Sequence, residues 1–178
     1  MIKDIRGQAG SILSLIAIVI SLSALGVSVF EVTSLKDQQK ASVWPYLELT
    51  PTYSGAGFEV KLQNKGIGPA LLGDVKLLHN GAHLATIEEL DALILQTLGP
   101  DRAFSYDTYR ARDVSNAVLS PGEEVILFGV PWNADTRAFV EQTAVNFSAE
   151  GCFCSVYGDC WTVKADQIPE PAKACRAA

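Results

Sequence analysis

The sequence predicts an N-terminal transmembrane α-helix followed by a mainly-β domain, an immunoglobulin-like β-sandwich with one or two inserted helices. Three observations carry this expectation. Gly7 to Phe30 runs for 24 residues without a charge, short alternating segments separated by turn signals follow, and all four cysteines lie beyond residue 151. With 178 residues, 48% of them hydrophobic, the chain has material for one short element and one domain with a core.

At about 1.5 Å per residue a helix over Gly7 to Phe30 covers roughly 36 Å, more than the ~30 Å hydrocarbon slab. Lys3 and Arg6 form a basic start and Ala24-Leu25-Gly26 is a small-x-small site, so a cleaved secretory signal is the competing reading. The apolar run continues through Val27, Val29 and Phe30, which suits an uncleaved anchor. Lys3 and Arg6 are balanced by Lys36 and Lys40, so basic residues alone do not orient the helix. The cysteines do, because a cluster of four suits an oxidising compartment. The expected location is therefore the inner membrane, with the C-terminal domain in the periplasm or another extracytoplasmic space. Residues 31 to 43, "EVTSLKDQQKASV", are polar and free of Gly and Pro, so the helix should continue beyond the bilayer. The division expected is 1–43 for the helix and its extension, 44–165 for the β-sandwich, and 166–178 for a tail tied by a disulfide.

Within the helix Gly7, Gly10, Ser14, Ala17, Ser21, Ala24 and Ser28 recur at alternating spacings of three and four, an unbroken heptad stripe of small residues. Small side chains let two backbones approach closely in lipid, where packing and interhelical hydrogen bonds drive association, and the heptad period favours a left-handed crossing of about +20°. The partner expected is a second copy or another transmembrane protein.

Beyond residue 43, "YLELT", "GFEVKLQN" and "LGDVKLLHNG" alternate in period two or are rich in β-branched residues, the pattern of antiparallel strands. Asn80-Gly81 is the hairpin signal of a type I′ turn. In "TIEELDALILQTLGP", Thr86 and Glu89 form a capping box, Ile87, Leu90, Ile94 and Leu98 recur at helical spacing, and Gly99-Pro100 ends the helix. "FSYDTYRARDVSNAVL" reads as an irregular excursion, and "LSPGEEVILFGVPW" as a turn feeding an apolar strand. A short helix is expected from near Asn133 or Asp135 to Gln142, then the last strand pair in "TAVNFSAEGCFCSVYGDCWTV" and an extended, proline-punctuated tail. The sum is a sandwich of roughly seven strands.

"WPYLEL", "LQNKGIGPALLGDV" and "CFCSVYGDCW" resemble the landmarks of a group of short bacterial proteins with one transmembrane helix and an extracytoplasmic β-sandwich, generally uncharacterised. The resemblance covers most of the chain after residue 43 and implies architecture and envelope location without an activity. The plan of helix plus disulfide-bearing sheet domain also resembles pilins and pseudopilins. There "IRGQAGSIL" would be cut after Gly7, but Ile12 stands where those proteins carry an acidic residue.

Candidate sites are few. Cys152, Cys154, Cys160 and Cys175 lack the C-x-x-C spacing of zinc knuckles and thiol oxidoreductases, so two structural disulfides are expected. Cys152 and Cys154 share a strand face and should not bridge each other. Cys154–Cys160 with Cys152–Cys175 is the preferred pairing, and Cys152–Cys160 with Cys154–Cys175 the competing one. "NKGIGPA", Asn64 to Ala70, offers glycines for an anion nest but lacks the residues of a phosphate loop, so a tight turn with positive φ at Gly66 and Gly68 is favoured. His79 and His83 should face opposite sides of their hairpin, so they cannot share a metal. They are the only histidines, and no Gly-x-Ser-x-Gly elbow is present. Trp44, Tyr46, Trp132, Tyr157 and Trp161 read as core or membrane-interface aromatics. Glu88-Glu89 and Glu123-Glu124 read as solvated pairs, and the Asn146-Phe147-Ser148 sequon falls within an expected strand.

Residues 31–178 hold 12 Lys and Arg against 19 Asp and Glu, a balance that excludes nucleic acid as an expected partner. No catalytic, cofactor-binding or metal-binding residue is assigned, and no cofactor is expected. The function expected is a non-enzymatic, membrane-anchored binding or assembly module. An extracytoplasmic sensor binding a ligand in a groove near the inserted helix, or a pilin-like assembly subunit, are the alternatives.

Overall fold

The computed structural model describes residues 2–84, 86–98, 110–111, 113–134, 136–143 and 146–175. The chain divides into two compact units between Ser42 and Val43.

The first unit is one continuous helix, α1 (Ile2–Ser42). It contains no proline, the residue that would remove a backbone donor and kink it. From Ser14 onward it is long and apolar enough to cross a membrane, a test of length and composition that a signal sequence also meets. Its large apolar side chains from Leu15 to Leu35, Ile18, Ile20, Leu25 and Phe30 among them, are exposed.

The second unit is mostly β, built of two sheets. Its elements in chain order are β1 (Leu47–Ser54), β2 (Gly57–Asn64), β3 (Ala70–His79), β4 (Ala82–Leu84) and α2 (Ile87–Leu98). There follow β5 (Arg110–Ala111), β6 (Val118–Leu119), β7 (Glu124–Pro131), α3 (Arg137–Thr143), β8 (Phe147–Cys154), β9 (Cys160–Lys164) and β10 (Glu170–Ala172). One sheet has the order β1-β2-β7-β5 and the other β10-β9-β8-β3-β4, with β6 paired to the start of β3. Every pairing is antiparallel. The described residues thus form ten strands where roughly seven were expected. The difference lies in β5, β6 and β10, which at two or three residues are too short to display a period-two pattern.

The alternation of the longer strands decides what is inside. In β2, Phe58, Val60 and Leu62 are buried while Glu59, Lys61 and Gln63 are not. In β8, Phe147, Ala149 and Phe153 are buried while Ser148, Glu150 and Cys152 turn outward. The two inner faces meet at aromatic contacts: Phe128 of β7 stacks on Phe147 with centroids 4.7 Å apart, and Phe58 lies 6.3 Å from Phe147. Leu90 of α2 and Phe139 and Val140 of α3 complete the same core. Each such large side chain contributes about 1.5–3 kcal/mol on burial.

Local signals account for the connections. Asn80 and Gly81 adopt φ of 51° and 76°, as a type I′ turn requires. The Glu89 N–H donates to Thr86 Oγ1 at 3.3 Å, capping α2. The Gly99-Pro100 stop lies outside the described residues, as does most of "FSYDTYRARD". Before α3, Thr136 N donates to Asn133 Oδ1 at 2.9 Å while Asn133 N donates back to Thr136 Oγ1 at 3.0 Å.

The loop between β2 and β3 corrects one expectation. Gly66 and Gly68 do not have positive φ. They are glycine because the backbone passes too close for a side chain. A Cβ at Gly68 would stand 1.7 Å from Val43 O, and one at Gly66 would stand 2.3 Å from Tyr46 N. The organising group of this loop is Asn64, which is fully buried. Its Nδ2 donates to Gly68 O at 2.8 Å and Leu119 O at 3.0 Å, while Oδ1 accepts from Gly66 N at 3.0 Å and Tyr46 N at 3.3 Å. One amide side chain thus joins the segment leading into β1, the 65–69 loop and the end of β6.

Candidate functional site

The chemistry-bearing residues gather on the outer face of the β3, β8 and β9 sheet. Because Phe153 and Val163 point into the core, the neighbouring Cys152, Cys154, Cys160 and Thr162 project to the other side. Cys154 and Cys160 are direct cross-strand partners and form a disulfide, Cα–Cα 4.0 Å, that closes the 155–159 turn. The turn is also held by Ser155, whose Oγ accepts from Tyr157 N at 3.2 Å and Asp159 N at 3.3 Å. Cys152 is bonded to Cys175, Cα–Cα 5.4 Å, and ties the C-terminal tail across the sheet. The structure therefore holds the first of the two pairings that spacing allowed. All four thiols are oxidised. The two disulfides abut, since Sγ atoms of Cys154, Cys160 and Cys175 lie within 4.8 Å of one another.

Beside the tail tie is an open groove of about 390 Å³. Asp74, Lys76, Glu150, Lys164, Glu170 and the Cys152 disulfide contribute to its walls. Lys76 pairs with Asp74 at 3.1 Å, and Glu150 stands between Lys76 and Lys164 in the strand register. A lining of alternating charges suits a small polar or zwitterionic group. Among the described residues it comes from β3, β8, β9 and the tail rather than α2 or α3, so this groove is not the one expected near the inserted helix.

The two histidines are elsewhere. His79 pairs with Ala82 and His83 with Leu78, which sends the rings to opposite faces. His79 packs on Phe147 with centroids 5.1 Å apart, and burial lowers its pKa below the ordinary 6.5. His83 is exposed. Neither joins the cysteines or the groove.

The remaining sites resolve into structural roles. Glu124 forms a 3.0 Å ion pair with Lys61, which also reaches Glu59 at 3.2 Å, and these carboxylates raise the Lys61 pKa. Glu123 Oε2 accepts from Ser120 N at 2.8 Å and shapes its turn. Glu48 is held below the usual carboxylate range by its hydrogen bond and ion pair with Lys65. Trp44 is half exposed and lies between Tyr46, 5.9 Å away, and Trp161, 6.4 Å away. Tyr53 contacts Trp132 and donates its hydroxyl to Val140 O at 2.9 Å. Asn146 is exposed and stands just before β8 rather than within it.

In α1, Gly7, Gly10, Ser14, Ala17, Ser21, Ala24 and Ser28 all lie within the helix, where their spacing sets them along one stripe. Ser21 Oγ donates to Ala17 O at 2.8 Å, so its proton is already used within the helix. Its oxygen can still accept from a neighbour. No family model, no curated protein and no solved structure matches the chain.

Proposed function

We propose that this chain is a non-enzymatic, membrane-anchored extracytoplasmic module for binding or assembly, held to its partner through α1. The observation that supports it is the unburied apolar helix. From Leu15 to Phe30 its large side chains are exposed among the described residues, a state that water does not tolerate and that lipid or a second helix relieves. The stripe from Gly7 to Ser28 favours a helix neighbour along one side. Two disulfides support an oxidising compartment for the domain, hence a helix whose C-terminal end leaves the cytoplasm. The all-antiparallel pairing in two sheets around one core supports reading the domain as immunoglobulin-like.

The test is crosslinking in membranes with Ser14, Ser21 or Ser28 replaced by Cys. Capture of a second copy or another membrane protein at these positions is the expected outcome. Ser21→Leu should abolish capture at the flanking sites, and Ser23→Leu, off the stripe, should not. If none of the three positions captures a protein, the association fails as a function.

The mixed-charge groove supports a second reading, a ligand-binding domain whose small polar ligand sits beside the disulfide-tied tail. Binding that survives Ser21→Leu but is lost on reversing Lys76 and Lys164 would favour it.

A further inference from the structure

We propose that the four cysteines form a thiol–disulfide exchange relay, with Cys175 as the sulfur that moves between the two bridges. The geometry is the close approach of Cys175 Sγ to both members of the other disulfide, within 4.8 Å. A freed Cys175 thiolate has no longer span than that to cross to reach either sulfur. Beyond Asp166 the tail carrying it is lightly held: residues 167–168 are exposed and three register pairs join β10 to β9. Cys152, Cys154, Cys160 and Cys175 are all half-buried rather than sealed in the core, so an external thiolate can reach them.

The steps balance as ordinary exchange. An external thiolate, supplied by a dithiol reductant, attacks Cys152 Sγ. A mixed disulfide forms there, the Cys152–Cys175 bond breaks, and the electron pair leaves on Cys175. The Cys175 thiolate then attacks Cys154, forming Cys154–Cys175 while the Cys154–Cys160 bond breaks and the electron pair leaves on Cys160. Attack at Cys160 is the mirror case and frees Cys154. The second thiol of the reductant, as its thiolate, attacks its own sulfur in the mixed disulfide, leaves as a cyclic disulfide and frees Cys152. The reductant has lost two electrons and the chain has gained them as two thiols. Its remaining bridge now ties the tail two residues further along β8.

The experiment uses the full chain in detergent micelles. Cys152→Ala leaves Cys175 without its partner, and after incubation near pH 8 the free thiol is trapped with a maleimide at low pH and located by peptide mass mapping. The relay predicts the trapped thiol distributed over Cys175, Cys154 and Cys160, at a rate that rises about tenfold per pH unit below the thiol pKa, since only the thiolate attacks. A thiol found on Cys175 alone, with Cys154–Cys160 intact in every molecule, overturns it. Should that variant misfold, the unaltered chain treated with less than one equivalent of dithiothreitol gives the same answer. Half-reduced molecules carrying a Cys154–Cys175 or Cys160–Cys175 bridge support the relay, and only the original pairs refute it.

Discussion

The loop after β2 and the segment after β9 are both fixed against the sheets, the first by hydrogen bonds and close backbone contact alone, the second with a disulfide added. At the first, Asn64 is buried with both donors and both acceptor bonds used, and Gly66 and Gly68 press on residues 43–46. At the second, Ala165 N and Asp166 N donate to Ala149 O at 2.9 Å and Leu49 O at 3.0 Å, but beyond them Ile168 is 77% exposed and three register pairs hold β10, so the Cys152–Cys175 bond is the covalent restraint on the tail. A segment that can bury a satisfied polar hub has no need of a crosslink. One that stays in water gains little from a single hydrogen bond and depends on the unfolded chain being constrained instead.

This contrast can be broken at either side. Gly68→Ala should have the largest effect, because the new Cβ meets the Val43 carbonyl and main chain rather than a yielding side chain. A loss of about 3–5 kcal/mol is expected from a clash of this kind, read as a lowered urea midpoint. Asn64→Ala should follow at about 3 kcal/mol, since it strands buried donors and acceptors in three segments. Removing the tail tie with Cys152→Ala and Cys175→Ala together should lower stability by about 3 kcal/mol in the chain-entropy view. Removing the Cys154–Cys160 bridge, which closes a much shorter loop, should lower it by about 2. Thermal melting of the two double variants ranks them, and a larger effect for the shorter loop would contradict the entropic account.

The smallest effect concerns pH. Burial lowers the His79 pKa, so the unfolded chain takes up its proton at a higher pH than the folded domain does. The neutral ring's contribution is therefore complete above the ordinary imidazole value and is lost as pH falls from there through the lower folded-state value. The urea midpoint should drop between about pH 8 and pH 5.5, the region where an ordinary imidazole takes up its proton. His79→Leu should flatten that slope while leaving the midpoint at the alkaline end little changed.

Much of the fold was legible because its signals are local. Asn80-Gly81, Thr86 with Glu89, and the alternation in β2 each act within a few residues, and the structure contains the turn, the cap and the buried face they imply. The cysteine pattern announced two bridges, yet left their pairing open until the strand register placed Cys154 opposite Cys160. Asn64 was missed because Leu119, one of its partners, is 55 residues away. A signal was present all the same. Asn64 continues the inward series Phe58, Val60 and Leu62, and a polar side chain in core phase needs partners for every polar atom. Gly66 and Gly68 were read as conformational glycines when the reason is the proximity of residues 43–46, which no local pattern records. The approach of Cys175 to the second disulfide likewise depends on where a proline-punctuated tail crosses the sheet.

That tail has one more consequence, for solubility. Left bare, the outer edge of β9 would offer its unpaired main-chain groups to any extended peptide in a crowded compartment, an invitation to strand addition and aggregation. β10 covers that edge with only three residues, and Pro171, set opposite Trp161, has no N–H to offer a further strand. The sheet is thereby finished with a blunt margin, and the bond from Cys152 to Cys175 is what keeps the margin in place.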